Sequence, residues 1–281
     1  MATLVAAGVD REEMRIVKRA DGKVTVEVIL ASALAGTLAE RGVTLRTQAS
    51  SARAAQQADG VFKRYAGAGG IREEIIAAAE AEPAIAKVVN LGNSLNGTPI
   101  TAIKVTKDAR KLRDGSRRAI LYSAAQHARE WITPEMVRRL LHHFLDGYGS
   151  NAELTQLVNT TELWFLPVAN PDGYDHTFTA GNRLWRKNLR DNDGDGQITS
   201  NDGVDPNRNF AYKWRYDDEG SSSVFSSQTY RGAAPQSEPE TVAYDNLTRR
   251  VKFTYLINYH SAAMLLLYGI SWQQATPRPT T

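Results

Sequence analysis

The chain contains no cysteine among its 281 residues. This absence excludes disulfide frameworks, cysteine-ligated zinc and thiol nucleophiles. The chain also lacks an apolar run of the roughly 18 residues that a membrane-spanning helix needs. Its first ten residues have no basic start and reach a charged residue too soon for a secretory signal peptide. We therefore expect no membrane partner, and either a cytosolic protein or a targeting segment outside these residues.

A large excess of charge of one sign is also missing. The 34 basic and 31 acidic side chains give a formal net charge of +3. No run of lysine and arginine concentrates this weak positive charge, so the composition argues against a nucleic-acid partner. With 42% hydrophobic and 23% charged residues, the composition is typical of a soluble globular protein with ample material for a core.

Turn residues and shifts in composition predict three parts along the chain. Residues 1–46 predict a small α+β unit, with two strands around the turn Asp21-Gly22 and one helix. Residues 47–59 are mainly Ser, Ala and Gln without apolar periodicity, which is typical of a linker. Residues 60–281 form the main domain. The first unit is too small for a core of its own, so we expect it to pack on the main domain or to end a longer upstream domain.

Strands alternate with helices in the main domain, which predicts an α/β fold with a mixed, mostly parallel sheet flanked by helices. Two apolar runs, Ala119–Ala125 and Lys252–Tyr259, are typical of buried strands. Helix starts are predicted at Thr133-Pro134, with Thr as N-cap, and at Ser237–Glu240, which fits a capping box. The other predicted elements are a helix at Ile71–Glu82 and strands at Ala86–Asn93, Pro99–Thr106 and Thr161–Val168.

Histidine is sparse, and two of the five histidines follow predicted buried strands. His127 and Glu130 come after one strand, and His260 comes after another. Ligands of open α/β sheets bind at the carboxyl ends of strands, so these three side chains are expected in one crevice. Two imidazoles and a carboxylate form a catalytic zinc set with an open fourth position. The His-x-x-Glu spacing alone also fits polar residues in a surface turn, and it is His260 that favours the metal.

Five sequence blocks, in one order, resemble the zinc carboxypeptidase family, the carboxypeptidase A-like metallopeptidases. The blocks are HAREWITPE at 127–135, NPDGY at 170–174, NRLWRKN at 182–188, DPNRNF at 205–210 and YHSAAMLLLYG at 259–269. The resemblance implies a carboxypeptidase-like fold that holds one zinc ion and hydrolyses C-terminal residues from peptides or proteins. It also implies secretion, and a pro-segment-like remnant in residues 1–46. We expect a monomer.

The resemblance also implies a role for individual residues. His127, Glu130 and His260 match the zinc ligands, and Asp205 matches the carboxylate that orients the first histidine. Arg186 matches the arginine that stabilises the oxyanion. The residues that match the family's substrate contacts are Arg129, Arg183, Asn207 and Arg208. Arginine suits this work because its guanidinium can donate two parallel hydrogen bonds to a terminal carboxylate.

A second metal is predicted in the acidic loop 191–202, which fits an EF-hand-type calcium loop. Aspartates stand at loop positions 1, 3 and 5 and glycine at position 6, but aspartate replaces the usual glutamate at position 12. The candidate calcium ligands are Asp191, Asp193, Asp195, Gln197 and Asp202. The same pattern also fits an acidic surface turn without a metal.

The family's general-base glutamate has no counterpart in this sequence. In the family it follows the second zinc-binding histidine, whereas this chain has no glutamate after Glu240. We therefore expect a carboxypeptidase that is truncated at its C-terminus. Two alternatives stay open: an inactive zinc- and peptide-binding domain, and a calcium-stabilised structural module.

Overall fold

The computed structural model describes residues 3–4, 9, 14–19, 21–28, 30, 32–46, 61–216, 218, 220–261 and 265–268. The predicted linker 47–59 lies outside these residues, so the division of the chain into three parts stays a prediction. No helix in the described ranges is both long and apolar enough to cross a membrane.

The described residues of the N-terminal unit include a two-stranded sheet and a helix that follows it. Strands β1 (Arg15–Lys18) and β2 (Val24–Glu27) pair antiparallel, and helix α1 (Ser32–Glu40) follows them. Gly22 has a φ of +76° in the turn between the strands, a conformation that glycine adopts without steric cost. The predicted hairpin is therefore confirmed. Its buried apolar side chains are Leu4, Val9, Met14 and Leu38.

A five-stranded mixed sheet lies at the centre of the main domain. Its strands are β3 (Ala86–Asn93), β4 (Pro99–Val105), β5 (Arg118–Ala124), β6 (Thr161–Leu166) and β7 (Tyr255–Tyr259). They lie in the order β3-β4-β6-β5-β7. β4 pairs antiparallel with β3 and β6, whereas β5 pairs parallel with β6 and β7. The predicted mixed sheet is thus confirmed, but parallel pairing does not predominate: two of the four pairings among these strands are parallel, both made by β5.

Helices cover both faces of this sheet. They are α2 (Ile71–Ala81), α3 (Ile132–Gly147), α4 (Ala152–Thr160), α5 (Pro171–His176) and α6 (Pro239–Val251), with a short 3-10 helix at Pro206–Arg208. Along β6, Leu163 and Phe165 belong to one buried cluster with side chains of α2 and α3. Trp164 and Leu166 belong to a second cluster with α6. Successive strand residues point to opposite faces, so the two clusters are the two layers of the core.

The predicted N-cap at Thr133 is wrong. Helix α3 begins at Ile132, which puts Thr133 inside its first turn. The Thr133 hydroxyl donates to the carbonyl oxygen of Glu130 at 2.9 Å and accepts from the backbone N–H of Ala125 at 3.3 Å. The side chain therefore ties the helix to the end of β5 instead of capping it.

The predicted capping box at Ser237–Glu240 is also wrong. Helix α6 has Glu238 as its N-cap, without a side-chain cap hydrogen bond. Ser237 donates to the Glu238 carboxylate at 2.7 Å, and Glu240 accepts from the backbone N–H of Leu95 at 2.9 Å. Glu240 thus binds a backbone group about 145 positions earlier in the chain, which a local sequence pattern cannot show.

Candidate metal centre

The ends of two neighbouring strands bring the predicted metal ligands together. β5 and β7 run parallel, and their last residues, Ala124 and Tyr259, are paired. The chain turns sharply after β5, where Ala125 has a φ of +50°. The loop that bears His127 and Glu130 therefore starts beside the residue before His260, as the sequence predicted.

The ligand atoms of the three side chains converge on one point. Nδ1 of His127 lies 2.9 Å from Oε1 of Glu130 and 3.0 Å from Nδ1 of His260. Nδ1 of His260 lies 3.2 Å from Oε2 of Glu130. His127 and Glu130 are buried, whereas the His260 side chain is 28% exposed. Two ligands of a tetrahedral zinc ion lie about 3.3 Å apart, so the spacing is close to that of a zinc site.

The hydrogen bonding also fits a metal. Oε2 of Glu130 is buried and accepts no hydrogen bond from the described residues, although His260 is near. Nδ1 of each histidine faces the other instead of a donor. Zinc prefers imidazole nitrogens and carboxylate oxygens as ligands. Because the two Nδ1 atoms and Oε2 of Glu130 are of these types, the residues fit the ion.

A buried ion pair lies behind the first histidine. Oδ1 of Asp205 lies 3.2 Å from Nε2 of His127, and Oδ2 accepts from Arg186 at 2.8 and 3.2 Å. All three side chains are almost fully buried. With Nε2 of His127 donating to Asp205, Nδ1 is left as an acceptor, which is the tautomer that a metal ligand needs.

Asn258 holds the second histidine, a contact that the sequence analysis missed. Its side-chain nitrogen donates to Oε1 of Gln126 at 2.6 Å and lies 2.9 Å from Nε2 of His260. The Ser123 hydroxyl donates to the side-chain oxygen Oδ1 of Asn258 at 3.2 Å. Residues two apart on a strand point to the same side, so the placement of Asn258 before His260 was a usable signal.

Opposite charges shift the pKa values of His127, Glu130 and Asp205. Burial and the Arg186 guanidinium lower the pKa of His127, but the Glu130 and Asp205 carboxylates outweigh them and raise it to about 9. Burial raises the pKa of Glu130, but His127 and His260 outweigh it and lower the pKa to about 2. For Asp205, Arg186 and His127 likewise outweigh burial and hold the pKa well below its usual range.

Zinc binding is expected to strengthen with pH between about 6.5 and about 9. The raised pKa of His127 means that its proton stabilises the zinc-free fold fully below about pH 6.5, and that this contribution is lost as the pH rises through about 9. Zinc needs the neutral imidazole, so its affinity should rise by up to about tenfold per pH unit in this window. Zinc titrations at constant ionic strength measure this, and an affinity independent of pH would contradict it.

Arg129 lies on the loop that carries two of the metal ligands, and Arg183 contacts this loop from a later segment. Arg129 stands between His127 and Glu130, and its Nη1 donates to the carbonyl oxygen of Leu184 at 3.3 Å. Nη1 of Arg183 donates to the Arg129 carbonyl oxygen at 2.8 Å, and its guanidinium stacks 3.7 Å from the ring centre of Trp131. Both arginines are thereby oriented by the chain itself.

Two more predicted contacts follow the Asp205 carboxylate directly. Asn207 and Arg208 lie in the 3-10 helix Pro206–Arg208, which Asp205 caps by accepting from the Asn207 N–H at 2.8 Å. Nε of Arg208 donates to the carbonyl oxygen of Gly220 at 2.8 Å. The carboxylate that holds His127 thus also fixes this turn, which couples the two parts of the candidate site.

The structure assembles only part of the predicted calcium set. Asp191, Asp193 and Asp195 each offer an oxygen within 4.8 Å of the others. Asp202 is not in this group, and its carboxylate accepts from the N–H groups of Asn192 and Thr199 at 2.8 and 2.9 Å. At Gln197 the backbone N–H donates to Asp195 at 2.7 Å. Calcium binding stays a prediction.

Comparisons with known proteins agree with this geometry. The family model of the zinc carboxypeptidases matches residues 71–281. The chain is 33% identical over 196 residues to carboxypeptidase A2 of Rattus norvegicus and 35% identical over 199 residues to metallocarboxypeptidase A of Trichophyton rubrum. Each alignment covers 69% of this chain and 44% of the relative. The chain thus spans less than half the length of these curated relatives.

Solved structures show the same likeness in the fold. Carboxypeptidase A from Helicoverpa armigera matches with a TM-score of 0.66 and 26% identity, covering 92% of this chain and 66% of that one. Thrombin activatable fibrinolysis inhibitor matches with a TM-score of 0.64 and 29% identity, covering 74% and 50%. The carboxypeptidase-like fold expected from the sequence is confirmed.

Proposed function

Since the chain belongs to the zinc carboxypeptidase family, we propose that it carries the zinc- and substrate-binding part of a metallocarboxypeptidase that hydrolyses C-terminal residues from peptides or proteins. The observation that supports this proposal best is the convergence of Nδ1 of His127, Nδ1 of His260 and the Glu130 carboxylate. Secretion and a monomeric state, which the sequence analysis expects, stay predictions.

Each residue of the site has a definite task in this proposal. His127, Glu130 and His260 hold one zinc ion, which supplies a Lewis acid for the scissile carbonyl and for water. Asp205 keeps His127 in the binding tautomer and fixes the Arg186 guanidinium through two hydrogen bonds. Arg186 then donates to the carbonyl oxygen as negative charge develops on it, and needs little reorganisation to do so.

Recognition of the substrate's free carboxylate falls to the remaining polar groups. Arg129, Asn207 and Arg208 bind the terminal carboxylate, and Arg183 contacts the peptide further along. An exopeptidase must recognise this carboxylate to select the last peptide bond. Charge-assisted hydrogen bonds from guanidinium groups are about twice as strong as neutral ones, and they disappear when the carboxylate becomes an amide.

A peptide with a free C-terminus is expected to bind the zinc-loaded chain about 10- to 100-fold more tightly than its C-terminal amide. This factor corresponds to the loss of one charged hydrogen-bond pair. Calorimetry with both forms of one peptide measures it. Arg208→Gln should remove most of the difference, while Arg118→Gln, at the exposed start of β5, should keep it. Equal affinity for acid and amide in the unmodified chain would refute the proposed substrate site.

The second candidate function is zinc and peptide binding without hydrolysis. It needs only the converging metal ligands and the guanidinium groups described above, whereas hydrolysis also needs a positioned general base. Positioned acid–base catalysis contributes about 10²- to 10⁴-fold to a rate. One assay on the zinc-loaded chain separates the candidates: release of the C-terminal amino acid supports the peptidase, and binding of the acid peptide without release supports the binding domain.

We also propose that the loop 191–202 binds calcium, supported by the clustered carboxylates of Asp191, Asp193 and Asp195. A ligand that binds only the folded state raises stability by mass action. Calcium is therefore expected to raise the unfolding temperature of the chain, and Asp193→Ala to remove the increase. Asp146→Ala, an exposed position on α3, serves as the control. If calcium raises the unfolding temperature of Asp193→Ala as much as that of the unmodified chain, the loop is an acidic turn that does not bind calcium.

A further inference from the structure

A basic cavity lies at the opposite end of the sheet from the metal centre. Its volume is about 450 Å³. The loop that forms most of it precedes Arg118 at the start of β5, whereas His127 follows the end of the same strand. A strand of this length spans about 20 Å, so the cavity is separate from the proposed substrate site. The residues that line it are Lys87, Arg110, Lys111, Leu112, Arg113, Asp114 and Arg250.

Positive charge dominates the lining. Five cations face one carboxylate, so the net charge of the lining exceeds the +3 of the whole chain. Asp114 lies 3.6 Å from Arg250 and 3.9 Å from Lys87, which compensates part of their charge. The exposed side chains of Lys111 and Arg113 form no ion pair with the described part of the chain. Their charges are available to a ligand.

Two buried charged side chains fix the loop that forms the cavity. Nζ of Lys104 donates to the Leu112 carbonyl oxygen at 3.0 Å and to Asp114 at 3.1 Å. The Glu162 carboxylate accepts from the N–H groups of Gly115 and Ser116 at 2.9 and 3.0 Å. Lys104 and Glu162 are both fully buried. The cations of the loop are therefore held on a rigid backbone and need little ordering when a ligand binds.

A close backbone contact holds the end of α6, which carries Arg250, against the loop. Gly115 has a φ of +74°, and a Cβ there would lie 2.6 Å from the carbonyl oxygen of Val251. Only glycine permits this approach, which places the end of α6 and its Arg250 beside the loop. The cations thus come from β3, from the loop after β4 and from α6. Three of the five cations lie within residues 110–113, and the fold adds Lys87 and Arg250 from distant segments.

The lining chemistry indicates the class of ligand. It contains no aromatic side chain for a base to stack on and one apolar side chain, Leu112. Arginine forks and lysine ammonium groups together suit tetrahedral oxyanions, and the volume is within the usual range of small-molecule sites. We propose that this cavity binds a small ligand that carries two or more phosphate or sulfate groups.

Calorimetry on the full, zinc-loaded chain tests the proposal with two probes. Fructose 1,6-bisphosphate represents the phosphate source and sucrose octasulfate the sulfate source, with sucrose as the uncharged control. At least one charged probe is expected to bind with one site per chain, and the tighter probe identifies the source. The double variant Lys111→Gln, Arg113→Gln should weaken that binding at least tenfold. Both side chains are exposed, so thermal unfolding should stay unchanged.

Neighbouring arginines on α6 provide a matched pair. Arg250 lines the cavity, whereas Arg249 pairs with Asp245 and does not. Arg250→Gln should weaken binding, and Arg249→Gln should leave it within twofold. If both variants weaken binding equally, the probes are attracted by the general positive charge and not by this cavity. If neither probe binds, the cavity is not a binding site. Each of these results would overturn the proposal. If His260→Ala still binds the probe, the cavity is separate from the metal centre. If His260→Ala loses probe binding, the probe binds at the metal centre, which would overturn the assignment.

Discussion

Replacing His260 by alanine is expected to lower the zinc affinity of the chain at least about 100-fold and to leave the fold intact. A structural zinc site contributes about 10–16 kcal/mol through four ligands, so the loss of one ligand accounts for a decrease of this size. The His260 ring is 28% exposed, and its removal leaves a small gap at the surface. Metal content after dialysis, and competition with a chromogenic chelator, measure the loss.

The matched control for this variant is His143→Ala. His143 is exposed on α3 and is not among the residues that could share a metal, so its replacement should leave zinc affinity unchanged. Zinc retained at one ion per chain in His260→Ala would contradict the ligand assignment. The three side chains would then form a hydrogen-bonded cluster that does not bind zinc.

Replacing Asp205 by alanine is expected to destabilise the zinc-free chain by about 3–5 kcal/mol, because removing one partner of a buried ion pair typically costs this much. Arg186 would lose its carboxylate and stay buried, since both side chains are fully buried in the present fold. His127 would lose the acceptor for Nε2. Urea unfolding of the zinc-free proteins measures the loss.

Zinc affinity should fall with the same substitution, by about 10- to 100-fold, because Asp205 orients a ligand. Asp205→Asn separates the two effects: it keeps an acceptor for His127 but removes the charge opposite Arg186. We expect Asp205→Asn to retain more zinc affinity than Asp205→Ala and to recover only part of the stability. A decrease in stability below about 1 kcal/mol in Asp205→Ala would show that Arg186 finds another partner.

The predicted strands of the central sheet agree well with the structure because their signals are local. The strand Ala86–Asn93 agrees at both ends, and the other four differ by one to three residues at one or both ends. Apolar runs bounded by Gly, Asn and Pro set these positions. The predicted positions of His127 and His260 at strand ends followed from the same runs, and the structure places both there.

Two helices were missed although each has a local signal. In α4, Asn151 accepts from the N–H groups of Glu153 and Leu154, and in α5 Asn170 accepts from Gly173 with proline in the first turn. Both are N-caps of a common kind. Each helix is short and offers little apolar periodicity, so the caps did not stand out from ordinary turns.

The sequence by itself determined the fold class, the order of the elements and the three candidate zinc ligands, since each follows from residue types and from the positions of strands along the chain. Only the tertiary structure decided which side chains meet across segments. Asn258 reaches Gln126 from β7, Asp205 faces both His127 and Arg186, and Arg250 reaches the loop after β4. The physical reason is that strand order and the paths of the connections, which no local pattern encodes, set these distances.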